Sequence, residues 1–297
     1  MQNRDSFSGY HPLVNFLFFG LVLGFSMCLM NPICLLISLV SATVYHVQLK
    51  GRKALRSSLT TLLPMMLLAA LINPAFNHEG VTVLSYLPSG NVLTLESILY
   101  GIGAAMMLAA VVQWFGCFNE VVTSDKFVYL FGRIIPALSL VLSMTLRFVP
   151  RFRAQTQVVR NAQTSLGRSG GDGFISKMKH GITILSILIT WSLENAIETA
   201  DSMRSRGYGL PGRSAYSVYR FDDRDKGVLL WLLGCFWVLL FACLSGGLHF
   251  RYYPSVKLAA LTPFSVSFYL FFLALCLTPV ILNAKEASTW KRLQSEA

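Results

Sequence analysis

Four apolar blocks, residues 13–30, 33–49, 228–244 and 264–282, each come close to the roughly 17 to 25 residues that carry a helix across a bilayer. One block of that length can be the core helix of a soluble domain, but four in one chain call for a membrane. The charge content agrees: 54% of the 297 residues are hydrophobic and 13% are charged, where soluble proteins carry about a quarter charged. The first block is preceded only by Arg4, offset by Asp5, and a second begins directly after the Asn31-Pro32 turn. It therefore reads as a retained span and not as a cleaved leader.

A net charge of +11 would point to nucleic acid in a soluble protein. In a membrane chain the positions of Lys and Arg matter more than their sum, because they mark cytoplasmic loops, and no nucleic-acid partner is expected. Lys50, Arg52, Lys53 and Arg56 form a basic loop after the second block, followed by a short third span at 59–72. Residues 73–91 hold no Lys or Arg and are broken by Pro74, Gly80, Pro88 and Gly90, so this loop is expected to face outward. A fourth span at 92–115 returns the chain to the basic side.

From there to about Gly227 charge and apolar periodicity occur together, with too many arginines to alternate across a bilayer. The expected organisation is thus N-terminal transmembrane helices over 1–117, a cytoplasmic module of long amphipathic helices over 118–227, and C-terminal transmembrane helices with a tail over 228–297. The fold class is an all-α integral membrane protein of about six spans. It is placed in the cell membrane with both termini cytoplasmic and the lipid bilayer as its solvent.

Within the module, Phe148, Phe152, Val159, Ala162 and Leu166 recur at helical spacing up to Gly167. A second long helix carries Ile175, Met178, Ile182, Leu185 and Ile189, then Leu193, Ala196, Ala200 and Met203, and stops at Gly207 and Gly209 before Pro211. Glycine just past a helix accepts a left-handed cap cheaply, and the proline cannot continue the ladder. Arg204 and Arg206 fall in the last turn, where a cation is favoured by about 0.3 to 1 kcal/mol. They either cap a solvated helix end or dock it into a partner. Glu198 is expected to pair with Arg147 or Arg151 and set the angle between the two helices.

Other chemistry is poorly represented. The six cysteines lie in or beside apolar segments without a C-x-x-C, and the five histidines are scattered, so neither a metal site nor a cofactor is expected. The glycine-rich run 167–173 lacks the Lys-Ser/Thr pair of a phosphate loop and reads as a flexible joint between the two helices. Gly20 and Gly24 form a G-x-x-x-G that suits close packing within the chain. No acids, histidines or Ser/Lys groups gather at one depth as a membrane enzyme would need.

Residues 122–168, with Thr123-Ser124-Asp125-Lys126, Leu130, Pro136, Leu146-Arg147-Phe148-Val149-Pro150 and Ala162-Gln163, together with the run from Ala200 to Tyr208, resemble the transmembrane T component of energy-coupling factor (ECF) transporters. His11-Pro12-Leu13-Val14 is similar to that family's opening. The resemblance implies a non-catalytic scaffold between two cytoplasmic ABC ATPase subunits and a small substrate-binding membrane subunit, importing a vitamin or a metal ion. It also implies that the ends of two coupling helices dock in the ATPases through arginine-centred motifs. The second motif stands as Ser205-Arg206-Gly207, beside Arg204. The first reads Ser165-Leu166-Gly167, with Leu166 in the arginine's place and Arg168 displaced by two residues. The competing reading is a self-sufficient secondary carrier or channel, which predicts two related halves with broken helices at mid-span; the sequence has neither.

Overall fold

The computed structural model describes residues 5–86, 92–132, 136–167, 173–211, 219–246, 248, 250–258 and 262–296. Along them run α1 (Pro12–Cys28), α2 (Pro32–Lys50), α3 (Arg52–Phe76), β1 (Val83–Tyr86), β2 (Val92–Thr94), α4 (Leu95–Val121), α5 (Ser124–Gly132), α6 (Pro136–Ser165), α7 (Phe174–Ser205), α8 (Asp223–Leu244), β3 (Phe250–Arg251), β4 (Lys257–Leu258) and α9 (Pro263–Glu296). The chain divides into two compact units, one of Met1–Thr123 with Tyr219–Ala297 and one of Ser124–Val218.

The first unit holds the membrane spans. Pro32–Lys50, Ser58–Phe76, Leu95–Val121, Asp223–Leu244 and Pro263–Ser295 are long and apolar enough to cross a bilayer, and the 17-residue α1 is marginally shorter. The protein is an all-α, multi-pass membrane protein with about six spans. α4 packs against α1, α2 and α3, while α9 packs against α2 and α8. Two small antiparallel hairpins, β1 with β2 and β3 with β4, were not foreseen from the sequence.

The helix starts follow from local chemistry. Pro12 and Pro32 occupy first-turn positions, where a missing N–H costs nothing. The N-cap Asn31 accepts from the Ile33 N–H at 3.0 Å, satisfying one of the orphan donors of that turn. It is also buried, and its Nδ2 donates to the Leu248 carbonyl at 3.2 Å and to the Tyr269 hydroxyl at 2.8 Å, pinning the α1–α2 turn to the α8–α9 connection and to α9. α8 opens with a reciprocal capping box between Asp222 and Asp225. The second carboxylate oxygen of Asp225 accepts the His11 N–H at 3.0 Å, so the entrances of α1 and α8 are tied together.

Around these ends the core is aromatic. Phe7, Phe18, Phe19, Tyr45 and Trp114 are fully buried, with Phe7 edge-on to Phe18 at 5.1 Å and Phe18 edge-on to Trp114 at 5.8 Å between centroids. Ser26 and Ser38 share a hydrogen bond of 2.7 Å, and the Trp114 indole N–H donates to Ser38 at 3.0 Å, so polar groups of α1, α2 and α4 satisfy one another inside the bundle. Asp5 receives the Asn283 side-chain amide at 2.6 Å and the Tyr45 hydroxyl at 3.0 Å, fastening the N-terminal segment to α2 and α9.

Close helix approach does not use the glycines expected for it. Nothing lies within 4 Å of where a side chain would begin at Gly20 or Gly24. The tight helix approach is at Gly101 of α4, where an added Cβ would stand 2.7 Å from the Ala70 carbonyl oxygen of α3, and at Gly103 a Cβ would stand 2.5 Å from the hydroxyl oxygen of Tyr252, a loop residue.

Candidate functional site

The second unit contains both helix ends singled out from the sequence. α6 and α7 run antiparallel: Phe152 meets Trp191 edge-on at 5.6 Å, and Val159 is buried against Ile184 and Leu188. From that contact α6 continues for about 12 Å to Gly167 and α7 for about 35 Å the other way to Gly207, at 1.5 Å per residue. The two helix ends therefore project from opposite ends of the pair.

α7 terminates in a full Schellman motif. Gly207 sits at φ +82°, its N–H reaching the Arg204 carbonyl at 3.0 Å, while the Tyr208 N–H reaches back to the Met203 carbonyl at 3.0 Å. Arg206 is the cap residue, with φ −86° and ψ 8°. α6 ends on the same device in its described part: Gly167 lies at φ +68° and its N–H bonds the Thr164 carbonyl at 3.0 Å. Ser165 and Ser205 both turn their hydroxyls back onto their own helix, to Asn161 and Ser202.

Leu166 thus holds on α6 the backbone position that Arg206 holds on α7. Leu166 is 69% exposed, and Arg204, Ser205 and Arg206 are exposed as well. Arg168 and the remainder of the expected joint through 172 lie outside the described residues. Leu210, which sequence reasoning passed over, is 65% exposed and its Cδ1 would lie 3.2 Å from a Cβ at Gly207, beside Arg206. An apolar residue just past a left-handed glycine was the available signal.

The expected ion pair between the helices does not form. Glu198, Arg147 and Arg151 are exposed, and among the described residues no carboxylate within 4.0 Å joins Glu198 to either arginine. The Arg151 guanidinium instead lies over the Trp191 ring at 5.6 Å. Trp191 precedes Glu198 by about two turns, roughly 10 Å along the helix, so Arg151 is engaged at a different level. The face of α7 turned to α6 is also not the one with the plainest periodicity: Ile175, Met178, Ile182, Leu185 and Ile189 are all exposed.

Elsewhere the described residues hold no group of three His, Cys, Asp or Glu side chains suited to a metal ion. A shallow cavity of about 500 Å³ lies in the first unit, lined by His78, Glu79, Gly80, Val81, Arg251, Tyr253 and Pro254. Next to it burial, with Tyr100 adding, pushes the Tyr252 hydroxyl up to about 12.

No protein-family model matches the chain. The energy-coupling factor transporter transmembrane protein EcfT of Lactobacillus helveticus is 40% identical over 93 residues, 31% of this chain and 34% of that protein. EcfT of Lactococcus lactis subsp. cremoris is 39% identical over 91 residues, 30% of this chain and 34% of that protein. Over that stretch the chain is EcfT-like. It spans about a third of the length of these relatives. A protein of Mycoplasma genitalium called "Uncharacterized protein MG181" is 25% identical over 169 residues, 52% of this chain and 40% of that protein. The EcfT-like character and the apolar helices agree on a membrane protein with several spans.

Proposed function

We propose that this EcfT-like chain is the transmembrane energy-coupling subunit of an ECF-type ATP-driven importer. Two cytoplasmic ABC ATPase subunits dock at the ends of α6 and α7, one at Ser165-Leu166-Gly167 with Arg168, the other at Arg204-Ser205-Arg206-Gly207. The chain passes their movement to a small substrate-binding membrane subunit that takes up a vitamin or a metal ion. It performs no chemistry of its own. The clustering of its basic residues supports a cytoplasmic side for both termini and the second unit.

The observation that carries this reading is the repeated glycine cap. Two helices of one unit, running in opposite senses, each stop on a left-handed glycine and each present an exposed residue at the cap position, Leu166 and Arg206. A helix end with an exposed anchor residue fits a groove in a soluble partner, and two ends that project apart fit two partners. Exposed Arg206 serves no pairing of its own helix pair: among the described residues no carboxylate stands within 4.0 Å of it.

The test is Arg206→Glu in the assembled complex. Co-purification of ATPase subunits and ATP-driven uptake should both fall, while the isolated chain still folds, because the side chain is exposed and reversing a charge at a helix C-terminus costs only about 1 to 2 kcal/mol. If both association and uptake persisted, Arg206 would not be a docking residue. Capture of a lone chain that transports without ATPases would overturn the assignment as a whole.

A further inference from the structure

β1 is exposed along its whole length, although it is mostly apolar. Val81 before it and Val83, Leu84 and Tyr86 within it are 69%, 48%, 53% and 72% exposed, and Phe76, which ends α3, is 82% exposed. Alternate residues of a strand point to opposite faces, so both faces of β1 are uncovered. Among the described residues its ladder partner is β2 alone, which leaves one edge open there. In water such a strand is a template for aggregation.

α3 exposes an apolar face as well. Leu59, Leu63, Leu67 and Leu71 repeat every fourth residue down one side of that helix and are exposed, and Ile72 flanks them. Of the five long spans among the described residues, the one in α3 is the least covered by protein, and its exposed leucine stripe is suited to acyl chains. No Lys or Arg occurs from residue 57 to residue 125, so the strands carry none of the solvating cations that usually protect an edge; Arg251 reaches only the cavity it lines with Val81 at the base of the hairpin.

The hairpin is also fastened. The Thr82 N–H and hydroxyl donate to the Glu96 carboxylate at the start of α4, the hydroxyl at 2.9 Å. The Thr94 hydroxyl donates to the Glu79 carbonyl at 2.7 Å, and the Asn77 amide donates to the Tyr253 hydroxyl at 3.0 Å. The apolar side chains are thereby presented from a fixed platform at the mouths of α3 and α4.

We propose that the β1–β2 hairpin lies in the headgroup–acyl boundary of the leaflet in which α3 ends, with Phe76, Val81, Val83, Leu84 and Tyr86 as its lipid contacts. Its depth is bounded from both sides. The open backbone edge of β1 cannot be satisfied in hydrocarbon, which keeps it out of the bilayer core. The apolar side chains keep it out of bulk water, and a tyrosine such as Tyr86 is at home where its ring is in acyl chains and its hydroxyl among headgroups. The hairpin acts as a float that fixes the depth of α3, the span with the least protein around it. This inference stands whether or not the ATPase reading does.

The test uses the full chain in its native complex, reconstituted in phospholipid nanodiscs. A photo-crosslinking benzoyl-phenylalanine is placed at Tyr86 and, in a second variant, at Leu84, with Leu67 as the position inside the span. Both hairpin positions are exposed, so the replacements leave the fold intact. After irradiation, peptide mass spectrometry should find phospholipid adducts at Tyr86 and Leu84 in yields like that at Leu67. A protein adduct in place of lipid would mean that a partner chain covers the hairpin, and no adduct would mean that it stands in water; either outcome overturns the proposal.

Discussion

Replacing Phe7 by alanine removes the ring that locks the N-terminal segment into the bundle. The side chain is fully buried, with ring centroids of Phe18, Tyr10, Tyr45 and Phe19 at 5.1, 6.0, 6.4 and 6.5 Å. Truncation empties about 100 Å³, which at about 24 cal/mol per Å³ of residual cavity is about 2.4 kcal/mol, and loss of the ring's own contacts brings the total to about 3 to 5 kcal/mol. The edge-on pair with Phe18 accounts for about 0.5 to 1.5 kcal/mol of this. The polar fastening is untouched, because the Asn283 side chain is bonded by the Phe7 backbone N–H at 3.1 Å and by Asp5. The variant therefore isolates packing from hydrogen bonding. Heating the full chain in mild detergent while following tryptophan fluorescence reads the change, since Trp114 lies 5.8 Å from Phe18. At about 2 to 4 °C per kcal/mol for a chain of this size, Tm should fall by roughly 6 to 20 °C. Phe7→Leu should lose distinctly less. A fall below about 2 °C, or equal losses for Ala and Leu, would show that the segment is not held by this ring.

Three further outcomes are expected. Gly103→Ala should destabilise by about 1 to 3 kcal/mol because its methyl meets the Tyr252 hydroxyl; Tyr252→Phe, which deletes a buried hydroxyl with no partner among the described residues, should be neutral or stabilising and should partly rescue Gly103→Ala in a melting assay. Asp225→Ala removes acceptors of the Asp222 and His11 N–H groups and should cost about 1 to 3 kcal/mol, with loss of protection at His11 in amide exchange. Exchanging the charges of Arg151 and Glu198 should not restore the uptake lost on Arg151→Glu, whereas a double-mutant cycle on Arg151 and Trp191 should return a coupling of about 0.5 to 1 kcal/mol.

The spans were legible because membrane insertion is written as composition over long windows. The blocks read at 13–30 and 33–49 fall within two residues of α1 and α2 at each end. The block ending at 282 stops well short of α9, which runs to Glu296. Apolarity ends where charge begins, but Ala284, Lys285, Glu286 and Ala287 are good helix formers, and nothing there breaks the ladder. The hairpins were missed for the opposite reason. Val83-Leu84-Ser85-Tyr86 is too short to show a period, and its partner β2 has three residues. Close approach at Gly103 was also hidden, since it depends on Tyr252 arriving from a loop about 150 residues away, whereas G-x-x-x-G is a purely local pattern.

At the candidate site the division is between what one helix determines and what two determine together. Gly167 and Gly207 were readable because a left-handed cap is a property of a single backbone position, and both have positive φ. The pairing of Glu198 was not, because the facing register of α6 and α7 is set by Phe152, Val159, Ile184 and Trp191 jointly. The same distinction bears on the proposed docking. The two caps are alike in backbone, with Leu166 and Arg206 in matching positions, so any difference between the two ATPase contacts must come from side chains. A contact made by a guanidinium is weakened by salt, with a screening length of about 8 Å at physiological ionic strength. One made by burying a leucine is not, and is stabilised by about 1.5 to 3 kcal/mol when fully covered. An importer built on this chain would then hold one ATPase at α7 through two arginines, Arg204 and Arg206, and the other at α6 through Leu166 with the single Arg168, and rising ionic strength should weaken the α7 contact more than the α6 contact.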